Sequence, residues 1–179
     1  EEVERVLEKL KRHIDDSRRK SKRSVDEIRK HIERSKRRSE ESVERVKREL
    51  ERIEEKVRRE GNRRDELKTD LDRLRRYVRK HVEDLRENLK RIDERIKEHE
   101  DRLDKNLEDL KREIEELRKA GVDEEELKKL LEEAEKVHRD SKRELRKLVK
   151  EARDVHRESM ETVKRLLDEL EREIRRAET

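Results

Sequence analysis

Apolar residues recur along this chain at steps of three and four. The first third carries them at Val3, Leu7, Leu10, Ile14, Ile28, Ile32, Val46, Leu50, Ile53 and Val57. Where they drop out, Ser17, Ser21, Ser24, Ser35, Ser39 and Ser42 continue the same stripe. Such spacing holds one face of an α-helix and predicts a helix over about residues 2–60. The middle third repeats the pattern from Leu67, Leu71, Leu74 and Val78 through His81, Leu85, Asn88, Ile92, Ile96, His99, Leu103 and Asn106 to Leu117, a helix over about 63–119. The last third runs Leu127, Leu131, Ala134, His138, Ser141, Leu145, Val149, Ala152, His156, Ser159, Val163 and Leu167 to Ile174, a helix over about 123–177. From Val3 to Val57 the stripe averages 3.6 residues per step. A sustained period of about 3.5 winds a left-handed supercoil and about 3.67 a right-handed one, so a nearly straight bundle is expected.

Polar positions within the stripe repeat as well. His13, Ser17, Ser21 and Ser24 return 18 residues later as His31, Ser35, Ser39 and Ser42. His81 and Asn88 return as His99 and Asn106, and His138 and Ser141 as His156 and Ser159. Eighteen residues make five turns at about 3.6 residues each, so every copy keeps its heading around the helix.

Two glycines and the absence of proline divide the chain. Gly61 and Gly121 suit the left-handed position that follows a helix end. Beyond Gly121, Asp123 is a good N-cap, Glu126 completes a capping box, and Val122 with Leu127 makes a hydrophobic staple. Beyond Gly61, Asn62 can cap, with Asp65 three residues on; Glu1 and Glu2 at the start and Arg175 and Arg176 near the end suit the helix dipole. Loops this short force antiparallel neighbours. The reading is all-α: one domain over 1–179, a long up-down-up three-helix bundle built on an 18-residue repeat.

With turns at the glycines, residue i of the first helix lies level with 122−i of the second and 120+i of the third. That register gathers His13, Ser17, Ser21, Ser24, His99, Asn106, His138 and Ser141 into one expected buried network. A second gathers His31, Ser35, Ser39, Ser42, His81, Asn88, His156 and Ser159. Val25, Ile28 and Ile32 should meet Ile92, Ile96, Leu145 and Leu148 between them. Serine, histidine and asparagine each donate and accept, so they can satisfy one another in a dry core. A connected network penalises wrong registers, which an all-leucine core does not.

Composition narrows the functional classes. Charged residues make up 61% of the chain and aromatic ones 1%, which would suggest disorder if the apolar minority were not so regularly spaced. The 57 basic and 53 acidic residues are interleaved, as on a solvated helix surface. The runs Arg18-Arg19-Lys20 and Lys36-Arg37-Arg38 lack an aromatic platform and have acidic neighbours, so no nucleic-acid partner is expected. No cysteine offers a disulfide or thiolate site, and no apolar run approaches the roughly 20 residues that span a bilayer. No signal peptide is recognisable, and a soluble chain that stays cytoplasmic on recombinant expression is expected. A stripe this narrow leaves little apolar surface for another subunit, so a monomer is expected.

Catalytic chemistry has no foothold in the pattern. Nothing resembles a nucleophile elbow, a phosphate loop or an HExxH zinc helix. Successive histidines in the register stand about five residues, roughly 7.5 Å, apart along the axis, too far for one tetrahedral zinc. No metal, cofactor or catalytic residue is therefore assigned. Two alternatives to a purely structural role are a bundle opened in acid by protonation of buried histidine, and ligation of a metal or porphyrin by histidine.

The Gly61 and Gly121 loops, the mixed Glu/Lys/Arg surface, the Val122–Leu127 staple and the His/Ser/Asn repeat together resemble de novo designed single-chain three-helix bundles carrying hydrogen-bond networks. Natural spectrin-like repeats are a poorer match, lacking internal identity of this kind. The resemblance implies a protein made to test structure, with high thermal stability and no natural substrate. The six stripe serines of the first helix set it apart from the commonest such designs.

Overall fold

A computed structural model describes residues 2–60 and 64–178. The expected roles of Glu1, Gly61 and Asn62 lie outside the described residues. Three α-helices account for the rest: α1 (Glu2–Glu60), α2 (Arg64–Lys119) and α3 (Glu124–Glu178). Leu, Glu, Lys and Arg dominate all three and are strong helix formers, while proline is absent. Their first turns are acidic and their last turns basic, as Glu124, Glu125 and Glu126 against Arg175 and Arg176 show in α3. Exposed pairs three or four apart, such as Arg52–Glu49 and Arg59–Glu55, add about 0.3–0.5 kcal/mol each to helix formation.

The turn between α2 and α3 is a Schellman motif. Val122 N–H donates to the Leu117 carbonyl at 3.2 Å, and Gly121 N–H to the Arg118 carbonyl at 3.2 Å. Gly121 occupies the left-handed region with φ of 85°. Val122 packs on the cluster that contains Leu117 and Leu127, closing the staple. Arg118 Nε donates to both carboxylate oxygens of Glu124 at 3.0 Å across the turn.

Two compact units divide the chain, and each takes a segment from all three helices. The first comprises residues 1–31 and 92–150, the second 32–91 and 151–179. In the first unit, Leu7, Leu10 and Ile14 of α1 cluster with Leu110, Ile114 and Leu117 of α2 and Leu127, Leu130, Ala134 and Val137 of α3. In the second, Val46, Leu50 and Ile53 cluster with Leu67, Leu74 and Val78 and with Val163, Leu166 and Leu170. Contacts such as His13–Glu113 and Ser21–Ser141 set α1 antiparallel to α2 and parallel to α3, the up-down-up three-helix bundle.

The inward face of α3 differs in detail from the expected stripe. Leu130, Val137, Leu148 and Leu166 are buried, while Leu131, His138, Val149 and Leu167 are half-buried beside them. A helix that touches two neighbours buries a stripe wider than one residue per turn, and the positions of those neighbours set its centre. Val3 is likewise exposed rather than buried.

Candidate functional site

Each unit contains one level at which all three helices turn a polar side chain inward. In the first unit these are Ser21 of α1, His99 of α2 and Ser141 of α3. In the second they are Ser39, His81 and Ser159, the same residue types displaced by the 18-residue repeat. Ser21, Ser39, His81, His99 and Ser159 are all buried, and Ser141 is half-buried. Ile14, Ile28 and Leu145 are buried on the turns adjoining the first of these levels.

The two levels bond differently. In the first unit the Ser21 hydroxyl donates to Ser141 Oγ at 2.6 Å. Neither ring nitrogen of His99 has a hydrogen-bond partner. In the second unit His81 Nε2 meets Ser159 Oγ at 3.1 Å. Burial lowers the pKa of His81, opposed by the nearby Asp84 carboxylate. Burial also lowers that of His99, here reinforced by the Arg102 guanidinium. Both rings are accordingly held in the neutral form, with one donor and one acceptor nitrogen each.

The other histidines sit at the edges. His13 Nδ1 donates to both carboxylate oxygens of Glu113 at 3.1 Å. His138 Nε2 donates to Asp104 at 2.7 Å, and Lys142 donates to the same carboxylate at 2.6 Å. Those two hydrogen bonds, from Lys142 first and then His138, hold Asp104 below the usual carboxylate range. Arg95 contacts the ring nitrogen Nε2 of His31. His156 is half-buried; burial and then Arg86 lower its pKa, and its Nε2 has no hydrogen-bond partner.

Two expected members of the networks, Asn106 and His31, take other positions. Asn106 is exposed, because α2 turns Leu103, Leu107 and Leu110 toward the core instead. His31, grouped by sequence with Ser35 and Ser39, falls in the first unit with Arg95. Ser17 and Ser24 are half-buried. Ser35, Ser39, Ser42, His81 and Asn88 come together along a groove of about 460 Å³ between α1 and α2 in the second unit. On the other side of Ser39 a groove of about 390 Å³ runs to Ser159 on α3.

Sequence reasoning missed the carboxylates. Asp104, Glu113 and Asp70 are each drawn into inter-helix contacts although none lies on the expected stripe. Asp70 is 9% exposed and receives Lys56 Nζ at 3.2 Å. Its place three residues after Leu67 and four before Leu74 was the signal available. The level rule does mark Asp104, which stands opposite His138 when 122−i is set against 120+i. Among the described residues no group of three or more His, Cys, Asp or Glu side chains is placed to hold a metal ion. None of the described helices is long and apolar enough to cross a membrane.

A computationally designed three-helix bundle is similar in structure to this chain, with a TM-score of 0.55 and 15% sequence identity. The similarity covers 99% of this chain and 89% of that one. No protein-family model matches the sequence, and no curated protein does.

Proposed function

We propose that the chain is a designed structural protein without enzymatic activity, in which inward serine and histidine residues select one register and one helix order. The observation that carries this reading is the recurrence of the Ser–His–Ser level in both units, with the same residue type contributed by the same helix each time. A buried polar group costs about 1–3 kcal/mol when it loses its partner, so a helix slid by one turn leaves serine and histidine facing aliphatic groups. Aliphatic layers alone impose no such penalty on a slid helix. The designed bundle of similar fold is consistent with this origin, although at 15% identity its likeness concerns the fold alone. The same reading takes the chain as a monomer needing no cofactor, metal, nucleic acid or membrane partner.

The test replaces Ser21, Ser39, Ser141 and Ser159 with Ala and His81 and His99 with Leu, keeping core volume close to constant. We expect retained helicity with several sets of amide resonances or a mixture of oligomers. One sharp resonance set, one monomer mass and unchanged inter-helix contacts in that variant would sink the proposal.

A second reading is favoured by one observation. His81, His99 and His156 are all pushed toward the neutral form by burial, so acid works against the folded state. On this reading the bundle is pH-responsive, and the dependence on pH argued below decides it. Ligation of a metal or porphyrin has no such support.

A further inference from the structure

We propose that the His99 level of the first unit is a binding site for one internal water molecule, held between the imidazole and the Ser21–Ser141 pair. The inference goes beyond the role in register and stands whether or not the chain was designed.

It begins from a mismatch between two copies of one arrangement. Displacing Ser39, His81 and Ser159 by the repeat gives Ser21, His99 and Ser141. In the second unit the ring reaches the α3 serine at 3.1 Å. In the first, that serine is engaged with Ser21 at 2.6 Å, and His99 keeps two unpartnered nitrogens while only 6% exposed. Buried polar groups are almost always satisfied by protein or by ordered water.

Chemistry then selects the occupant. A neutral imidazole presents an N–H on one ring nitrogen and a lone pair on the other, and a water molecule, which both donates and accepts, can meet whichever of the two faces the serines. The residue one turn along α2 is no help: where the second unit has Asp84, the first has Arg102, which only donates. Burial and Arg102 together keep the ring from taking up a proton instead. Ser21 donates to Ser141, and the Ser141 hydroxyl proton is therefore available to a further acceptor.

An internal water typically makes two to four hydrogen bonds and takes up about 30 Å³. Ser21, Ser24 and Ser141 give this level small hydroxyl side chains, where Ile14, Ile28 and Leu145 are buried on the adjoining turns. The water accepts from the Ser141 hydroxyl and donates to the lone pair of the ring nitrogen on that side.

Counting long-lived internal waters by ¹⁷O magnetic relaxation dispersion tests the site. His99→Leu is expected to lose one such water relative to the unaltered protein, and His81→Leu to lose none. An unchanged count in His99→Leu overturns the proposal, as does an equal loss in both variants. In the unaltered protein a direct cross-relaxation peak between water and the His99 ring protons is expected, and its absence overturns the proposal even if either variant fails to fold.

Discussion

Serine and histidine at the centre of a bundle are tolerated only as long as each finds a partner. Ser21 is 3% exposed, and its hydroxyl is satisfied by Ser141 alone among the side chains at that level. Ser141→Ala therefore leaves a buried donor unsatisfied, and we expect a loss of about 1 kcal/mol in urea unfolding. Ser21→Ala with Ser141→Ala should recover much of that loss, a coupling of about 0.5–1.5 kcal/mol in the double-mutant cycle. Strictly additive single effects would show that the 2.6 Å contact contributes nothing to stability. Asp70 and Lys56 illustrate the same rule with charges, since the carboxylate is nearly buried and the ammonium is not. The remaining ion pairs, such as Arg75–Glu171 and Lys11–Glu126, are mostly exposed and worth about 0–1 kcal/mol each.

At the scale of the elements, helix ends are where single residues matter most. The Gly121 turn joins α2 to α3 through a backbone with φ of 85°, a region that side chains with a Cβ resist. A Cβ built there meets nothing within 4 Å, so only backbone strain opposes substitution. Gly121→Ala should destabilise by about 1–2 kcal/mol, read as a lower urea midpoint with unchanged slope. An unaffected midpoint would mean that the turn adopts another conformation. Charge pattern and apolar period made the three helices readable without any tertiary information, because α-helix formation depends on neighbours three and four apart. The inward residues of α3 were less readable. Leu130 and Leu131 both fit a period near 3.6, and only the positions of the two neighbouring helices decide between them.

For the whole molecule, proton linkage sums what the individual histidines do. Burial depresses His81, His99 and His156 in the folded state from the ordinary value of 6.5. The unfolded chain then binds more protons below that value, so falling pH favours unfolding. Stability should be level above about pH 7.5 and decline as pH falls through 6.5 toward the lowered folded values, by at most about 1.4 kcal/mol per pH unit for each histidine. Urea midpoints at pH 8, 6.5 and 5 measure this, and His81→Leu with His99→Leu should flatten the profile. Equal midpoints across that range in the unaltered protein would remove the pH-responsive reading. Asp104 does not confuse the window, because its carboxyl is held below an ordinary value of 3.8.

The sequence by itself determined the all-α class, the three helices, the glycine turn at Gly121 and the levels at which polar residues recur. All of these follow from local spacing and from backbone geometry that a short segment carries on its own. The register already set Ser21 level with Ser141 and His138 level with Asp104, but tertiary structure alone decided that His13 meets Glu113 and His81 meets Ser159. A register good to one turn places residues level but does not orient them, and side chains of this length choose partners over distances of an ångström or two. The exposure of Asn106 and the isolation of His99 come from that last step, where three surfaces close around one another at once.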